Sequence, residues 1–164
     1  MAIPKNPKKR KCMFSDDMKF LQKAVIYHPT QNKFLALRRS PSDPSRPNCW
    51  DLPGGNVLFG KIHSASLERE IFEEASLKIK HIQPIQVITN YIKKVYYLFI
   101  GYKCKAISPK VKLSREHSEY KWVTKREFLK LKSADFLIDL VKTLDKWREK
   151  RKMKNLLYAH YFMY

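Results

Sequence analysis

Three glutamates, Glu70, Glu73 and Glu74, fall within one turn of a helical-looking run that ends at Ala75. At 100° per residue they share an arc of roughly 100°. Leu67, Ile71, Ala75, Phe72 and Ala65 are assigned to the other side, which is expected to seek a core. Like charges three or four positions apart cost about a few tenths of a kcal/mol per pair, so the arc calls for a cation. Its neighbours are Ser66 and Arg69, and only Arg69 is cationic. A hard divalent ion bound through a few carboxylates is the alternative, and Mg²⁺ brings phosphate oxygens with it. Taken alone, Glu-x-x-Glu-Glu also describes a solvated helix face. The bend Leu52-Pro53-Gly54-Gly55, followed by Gly60-Lys61 at fixed distance before the helix, makes the pattern more specific.

Strands are expected on both sides of this unit. Phe20 to His28 runs apolar through Ala24, Val25 and Ile26, Pro29 to Asn32 reads as a turn, and Lys33 to Arg39 completes a hairpin. Ser40 to Asn48 holds Pro41, Pro44 and Pro47 and stays out of regular structure, delivering Cys49-Trp50-Asp51-Leu52 into a strand that stops at the bend. Beyond the helix, Leu77 to Ile92, interrupted by Pro84, and Lys94 to Ala106 suggest a long antiparallel ribbon. Tyr96 or Tyr97 could stack on a nucleobase there, against the ordinary role of strand aromatics in a core. Thr124 with Glu127 has the spacing of a capping box, opening a helix through Leu131. Ser133 or Asp135 then begins another, on which Phe136, Leu137, Leu140, Val141, Leu144 and Trp147 recur at helical spacing and should cover the sheet. The order implies an α/β chain with a mixed sheet between helical layers.

The 164 residues suit one domain, and 44% hydrophobic with 13% aromatic content supports a folded globule over disorder. We divide it into a basic N-terminal arm (1–17), a domain (18–147) and a basic, aromatic tail (148–164). The net charge of +19, from 34 basic and 15 acidic side chains, attracts polyanions: nucleotides, RNA and anionic membrane surfaces. The arm carries Lys5, Lys8, Lys9, Arg10 and Lys11 without periodicity. Cys12, Cys49 and Cys104 are odd in number and lack Cys-x-x-Cys spacing, which argues against a disulfide framework or a thiolate zinc site. No apolar run is long enough for a membrane span, and no signal core follows the N-terminal lysines, so a cytoplasmic location is expected. The oligomeric state is left open.

The glycine bend and the acidic helix together resemble the signature of the Nudix hydrolase family, MutT-like members included. That signature is Gly, five residues, Glu, seven residues, Arg-Glu, an aliphatic, any residue, Glu-Glu, any residue, Gly, an aliphatic. Gly55, Arg69, Glu70, Ile71, Glu73, Glu74 and Leu77 match it with every spacing kept, whereas Lys61 replaces the first Glu and Ser76 the last Gly. The replaced Glu typically supports the signature Arg, so Lys61 exchanges an attraction to Arg69 for a repulsion. The replaced Gly ends the helix in a left-handed conformation, which costs a residue with a Cβ roughly 1 kcal/mol.

The resemblance implies a Nudix α/β/α sandwich with a mixed central sheet, and a Mg²⁺-dependent enzyme, with Mn²⁺ as a substitute, acting on nucleotides. It implies that Glu70, Glu74 and the Gly54 carbonyl hold metal and that Glu73 helps with a further ion. Glu116, six positions before Trp122, completes the site or assists water, with Glu119 in reserve. Whether Glu70 or Glu116 removes the proton stays open, and His117 is a further candidate base near neutral pH. In the family, a loop like Ser40 to Asn48 lies near the substrate, making Arg38, Arg39 and Arg46 candidate phosphate or base contacts and Trp50 a candidate stacking platform. The expected reaction is hydrolysis of a phosphoanhydride in a nucleoside di- or triphosphate derivative. Two other readings compete with it: a weakly catalytic or non-catalytic module that binds RNA through its basic surface, and an enzyme that acts on an RNA 5′ end.

Overall fold

The computed structural model describes residues 18–57, 63–92 and 95–145; the arm, Lys61, Trp147 and the tail lie outside them. In chain order the elements are β1 (Met18–Tyr27), β2 (Phe34–Arg39), β3 (Trp50–Asp51), helix α1 (His63–Ala75), β4 (Ile79–Ile92), β5 (Val95–Ala106), β6 (His117–Val123), helix α2 (Lys125–Phe128) and helix α3 at residues 135–145. The strands form one sheet in the order β3-β2-β1-β5-β4, with β6 on β2. It is mixed: β1 runs parallel to β5 from Met18↔Tyr96 to Tyr27↔Lys105, and the other pairs are antiparallel.

Successive side chains of a strand point to opposite faces, and both faces here are dry. Val25, Phe34 and Ala36 join one apolar cluster with Phe128, Leu137, Leu140, Val141 and Leu144 from α2 and α3. Ala24, Ile26, Leu35 and Leu37 join the other with Leu67, Ile71 and Ala75 from α1. This alternation explains why β1 and β2 read as continuous apolar runs, and it yields the α/β/α sandwich. The capping box at Thr124 is present, with Thr124 and Glu127 each bonded to the other's backbone, but the helix it opens stops at Phe128 rather than Leu131.

The expected hairpin pairs only at its mouth, Tyr27↔Phe34, before its strands part. The ribbon of β4 and β5 is as long as expected, with register shifts around Gln83 and Pro84. Among the described residues no helix is long and apolar enough to cross a membrane.

One expectation about α1 fails. Phe72 is 55% exposed and Ala65 is exposed, while Ser66 and Glu74 are buried. At 100° per residue, Phe72 and Ala65 stand about 140° and 160° round from Leu67, whereas Glu74 stands about 20° away. The face turned to the sheet therefore takes in Glu74. Ser76 does take the left-handed conformation that the missing glycine would have supplied, with φ 54°, and its N–H closes the helix on the Phe72 carbonyl at 2.9 Å.

Candidate active site at the glycine bend

The bend lies where β1 and β2 separate. Trp50 and Asp51 pair with β2, after which the chain crosses to β1: Ala24 N–H donates to the Pro53 carbonyl (2.8 Å), Gln22 N–H to that of Gly55 (2.9 Å), and Val57 N–H to that of Phe20 (3.0 Å). Gly54 has φ +123°, and a Cβ there would run into the Gln22 carbonyl, so conformation and space both exclude a side chain.

Helix α1 is fixed to this bend by polar contacts. Gln22 Nε2 donates to Ser66 Oγ at 2.9 Å, and the Gly54 N–H donates to Glu74 Oε2 at 2.8 Å. Glu70 lies directly against Gly55, where an added Cβ would overlap its carboxylate. The Lys112 and Ser114 amides bond the Ala75 and Glu74 carbonyls at 3.0 Å each. Those two bonds bring Glu116 close enough for its charge to act on Glu74.

Electrostatics separate the three ridge glutamates. Glu74 is only 7% exposed. Burial, joined by the charges of Asp51 and Glu116, pushes its carboxyl up to about 7 despite Lys23 and the Gly54 amide. Arg69 is the cation the ridge required: its guanidinium meets Glu73 at 2.8 Å and also pairs with Glu70. Glu73 points outward with a 55% exposed side chain, while Glu70, at 19%, stays near the bend.

Behind the ridge lies a buried network that the sequence did not announce. Asp51 is fully buried and meets Lys23 Nζ at 3.2 Å, Arg39 Nη1 at 2.7 Å and Arg46 Nη2 at 3.2 Å. Burial works to raise its carboxyl, but Lys23, Arg46 and Arg39 hold it below the ordinary value. Arg39 also pairs with Asp43, whose Oδ1 accepts the Ser45 and Arg46 amides, so the proline-bearing loop is tied to β2. His117 is buried beside this network; burial, then Lys23 and Arg39, lower it to about 4 and keep its ring neutral.

Gly54, Gly55, Glu70, Glu74 and Glu116 thus gather at one place, with Glu73 on the outer side. Arg39 and Arg46 are drawn to Asp51 instead of facing outward. Arg38 stays at the rim, 3.3 Å from Glu119. Trp50 belongs to the α3-side core, 7% exposed, with Lys121 Nζ 4.8 Å from its ring centre. Lys23 and Asp51 are the residues that sequence reasoning missed; the available signal was a charge inside each of two buried strand runs.

Among the described residues no three His, Cys, Asp or Glu side chains already converge as a metal site. The donors at the bend nonetheless suit a hard cation: carboxylate and carbonyl oxygens, one carboxylate raised by burial and like charge, and a second cradled against a glycine. Glu70 and Glu73 would exchange Arg69 for the ion. A cavity of about 550 Å³ lies elsewhere, beyond the end of β1 around Tyr27, His28, His81 and Lys103, and touches no ridge residue. The chemistry, not the volume, locates the site.

Comparison with known proteins agrees with this geometry. The NUDIX domain family matches residues 21–144. Its fold recurs in the MutT protein from Methanosarcina mazei Go1, with TM-score 0.70 and 24% identity over 82% of this chain and 98% of that one. It recurs also in a C. elegans Ap4A hydrolase binary complex, with TM-score 0.64 and 23% identity over 80% and 98%. A third likeness is the NUDIX domain of Shewanella oneidensis NrtR complexed with ADP ribose, with TM-score 0.64 and 16% identity over 88% and 99%. The chain belongs to the Nudix hydrolase family.

Proposed function

We propose that this protein hydrolyses a phosphoanhydride bond in a nucleoside di- or triphosphate derivative, with Mg²⁺, or Mn²⁺ in its place. The observation that carries this reading is the Gly54 amide on a buried Glu74 whose carboxyl is pushed up to about 7. A carboxylate held in place yet short of positive charge is suited to a dication. Glu70, Glu74 and the Gly54 carbonyl would hold the ion, with Glu73 serving a further one. When bound, it neutralises phosphoanhydride oxygens and acidifies a water.

The chain's own groups do the rest. The Gly54 N–H fixes the Glu74 carboxylate, and Ser66 on Gln22 fixes the start of α1. Glu116, exposed beside Glu74, or Glu70 accepts the proton of the attacking water. Arg38 at the rim is the arginine free to turn toward a phosphate, exchanging Glu119 for it. Arg39, Arg46 and Asp51 hold the loop and β3 that carry the bend. A phosphate-release panel over NTPs, oxidised dNTPs, ADP-ribose, dinucleoside polyphosphates and capped RNA, with and without Mg²⁺, tests the reading. Release from at least one nucleotide that stops on chelation is expected. No metal-dependent release from any of them overturns it.

A further inference from the structure

We propose that the cavity beyond the end of β1 is a second ligand site, one that takes a small phosphate-bearing anion. It is walled by the β1–β2 turn and by residues of β4 and β5, among them His81, Gln83 and Lys105. Its volume of about 550 Å³ is in the range of small-molecule sites, and no Asp or Glu is among its lining residues. None of these residues belongs to the glycine bend or the ridge. Tyr27 is four residues beyond Lys23 on β1, about 13 Å at roughly 3.3 Å per residue, so the site does not rest on the hydrolytic reading.

Strand β4 departs from regular pairing to place His81 on this wall. Lys80 is the register partner of Lys105, and Gln83 that of Lys103, so His81 and Ile82 together stand opposite Cys104 alone, the two-against-one count of a bulge. His81 holds φ 58°, a left-handed conformation that is costly for a residue with a Cβ. Glycine would hold it without that cost, so the imidazole itself is what the position gains. Bulges that re-aim a side chain, and strained residues kept in place by their surroundings, gather at functional sites.

Charge identifies the occupant. Lys80 and Lys105 stand directly opposite one another and are both exposed, a like-charge pair that destabilises an antiparallel sheet unless something negative lies beside it. Neither of them, nor His81, has a side-chain partner among the described residues. From Ala75 to Arg115 the sequence contains no Asp or Glu, so β4 and β5 supply no carboxylate for them. On the turn, His28 Nδ1 accepts the Thr30 and Gln31 amides at 3.2 and 3.1 Å, which leaves the hydrogen of the neutral ring on Nε2. Lys103 and Tyr27, also on the wall, pack on one another, with Nζ 5.9 Å from the ring centre, and are not needed as ligands. Ammonium and ring N–H groups donate, and phosphate oxygens accept. The same lysines turn away a metal cation.

The test is amide NMR on the full chain in chelator, titrated with inorganic phosphate and, separately, with adenosine monophosphate. Total salt is held at about 150 mM so that diffuse attraction to a chain of net charge +19 is screened. Saturable shifts with one dissociation constant are expected at residues 28–32, 81–83 and 103–105, in Glu74→Gln as in the unaltered protein. Equal affinities support a site filled by the phosphate alone, and tighter binding of the nucleotide supports one whose remaining space takes the nucleoside. Lys105→Ala and His81→Gly should each weaken binding about tenfold, the worth of one hydrogen bond to a charged group. Lys130→Ala, which removes an exposed lysine outside the cavity, should not. His81→Gly should also keep or raise the melting temperature, because it relieves the positive φ, so its loss of binding is not loss of fold. Absence of saturable shifts at the cavity overturns the proposal. So does an equal weakening by Lys130→Ala, which would make the binding a property of net charge alone.

Discussion

Asp51 and Glu74 are both buried carboxylates, and they share one cation, Lys23. Asp51 has two arginines besides, and accepts the Leu52 amide at 2.7 Å. It stays ionised well inside the protein. Glu74 has a single backbone amide, a share of Lys23, and two repelling carboxylates, and its proton is held up to about 7. A carboxylate surrounded by enough positive charge serves as structure. One left short of it, at the edge of a glycine bend, is prepared for an ion from outside.

The largest effect comes from exchanging the two. Asp51→Ala removes the buried carboxylate shared by Lys23, Arg39 and Arg46 and should cost about 3–5 kcal/mol of stability, read in denaturant unfolding. Glu74→Gln removes one charge that nothing in the fold requires. It should leave the protein no less stable, and more stable where the raised carboxyl has ionised, at neutral pH and above, while lowering Mg²⁺-dependent turnover by about a hundredfold or more. If Glu74→Gln unfolds the protein and Asp51→Ala does not, the division of roles is reversed.

A pH series separates Glu74 from His117, a second buried group acted on by Lys23 and Asp51. The Glu74 carboxyl is raised from 4.5 to about 7, so its contribution to stability is full below 4.5 and is lost as pH rises through 7. The His117 ring is lowered from 6.5 to about 4, so its contribution is full above 6.5 and is lost as pH falls toward 4. Each term amounts to about 3 kcal/mol at most, and they oppose one another. In chelator, the unaltered protein should therefore show a nearly level stability between these limits. Glu74→Gln should weaken on acidification from 6.5, and His117→Gln on raising the pH from 4.5. Parallel profiles for the two variants would contradict these environments.

A smaller effect is expected at Gly55, where an added methyl group displaces the Glu70 carboxylate, the far end of a flexible side chain, rather than backbone. Gly55→Ala should reduce turnover by up to about a hundredfold, the cost that a 1 Å misplacement can carry at an active site, with an unchanged melting temperature. The smallest concerns Lys61, which stands where the family has a Glu that supports the arginine. Arg69 here takes Glu70 and Glu73 as its partners. If the family's pairing is restored, Lys61→Glu would give Arg69 a rival partner and should tighten Mg²⁺ binding by a few-fold, about 1 kcal/mol, measured by calorimetry. Weaker Mg²⁺ binding in that variant would show that Arg69 does not compete for the ridge.

Much of the sandwich was legible because its elements are specified locally. The continuous apolar runs of β1 and β2, the capping box at Thr124 and the apolar spacing of α3 each follow from residues a few positions apart. The ridge was legible in the same way, and so was the strain at Ser76. Phe72 was not, because helical spacing fixes angles around an axis but not which flank meets the sheet. That choice fell to Gln22 and Gly54, which draw Ser66 and Glu74 inward from 44 and 20 positions away.

By itself, then, the sequence determined the family, the glycine-to-glutamate spacing and the two-sided burial of the central strands, all of them consequences of short-range pattern. Only the tertiary structure decided that Arg39 and Arg46 close on Asp51, that Glu74 is dry and underpaired while Glu73 is wet, and that Tyr91 meets Tyr96 across the β4–β5 ribbon. The energy of a charge or a ring depends on what lies beside it in space. Those neighbours come from strands and loops that only the completed sheet brings together.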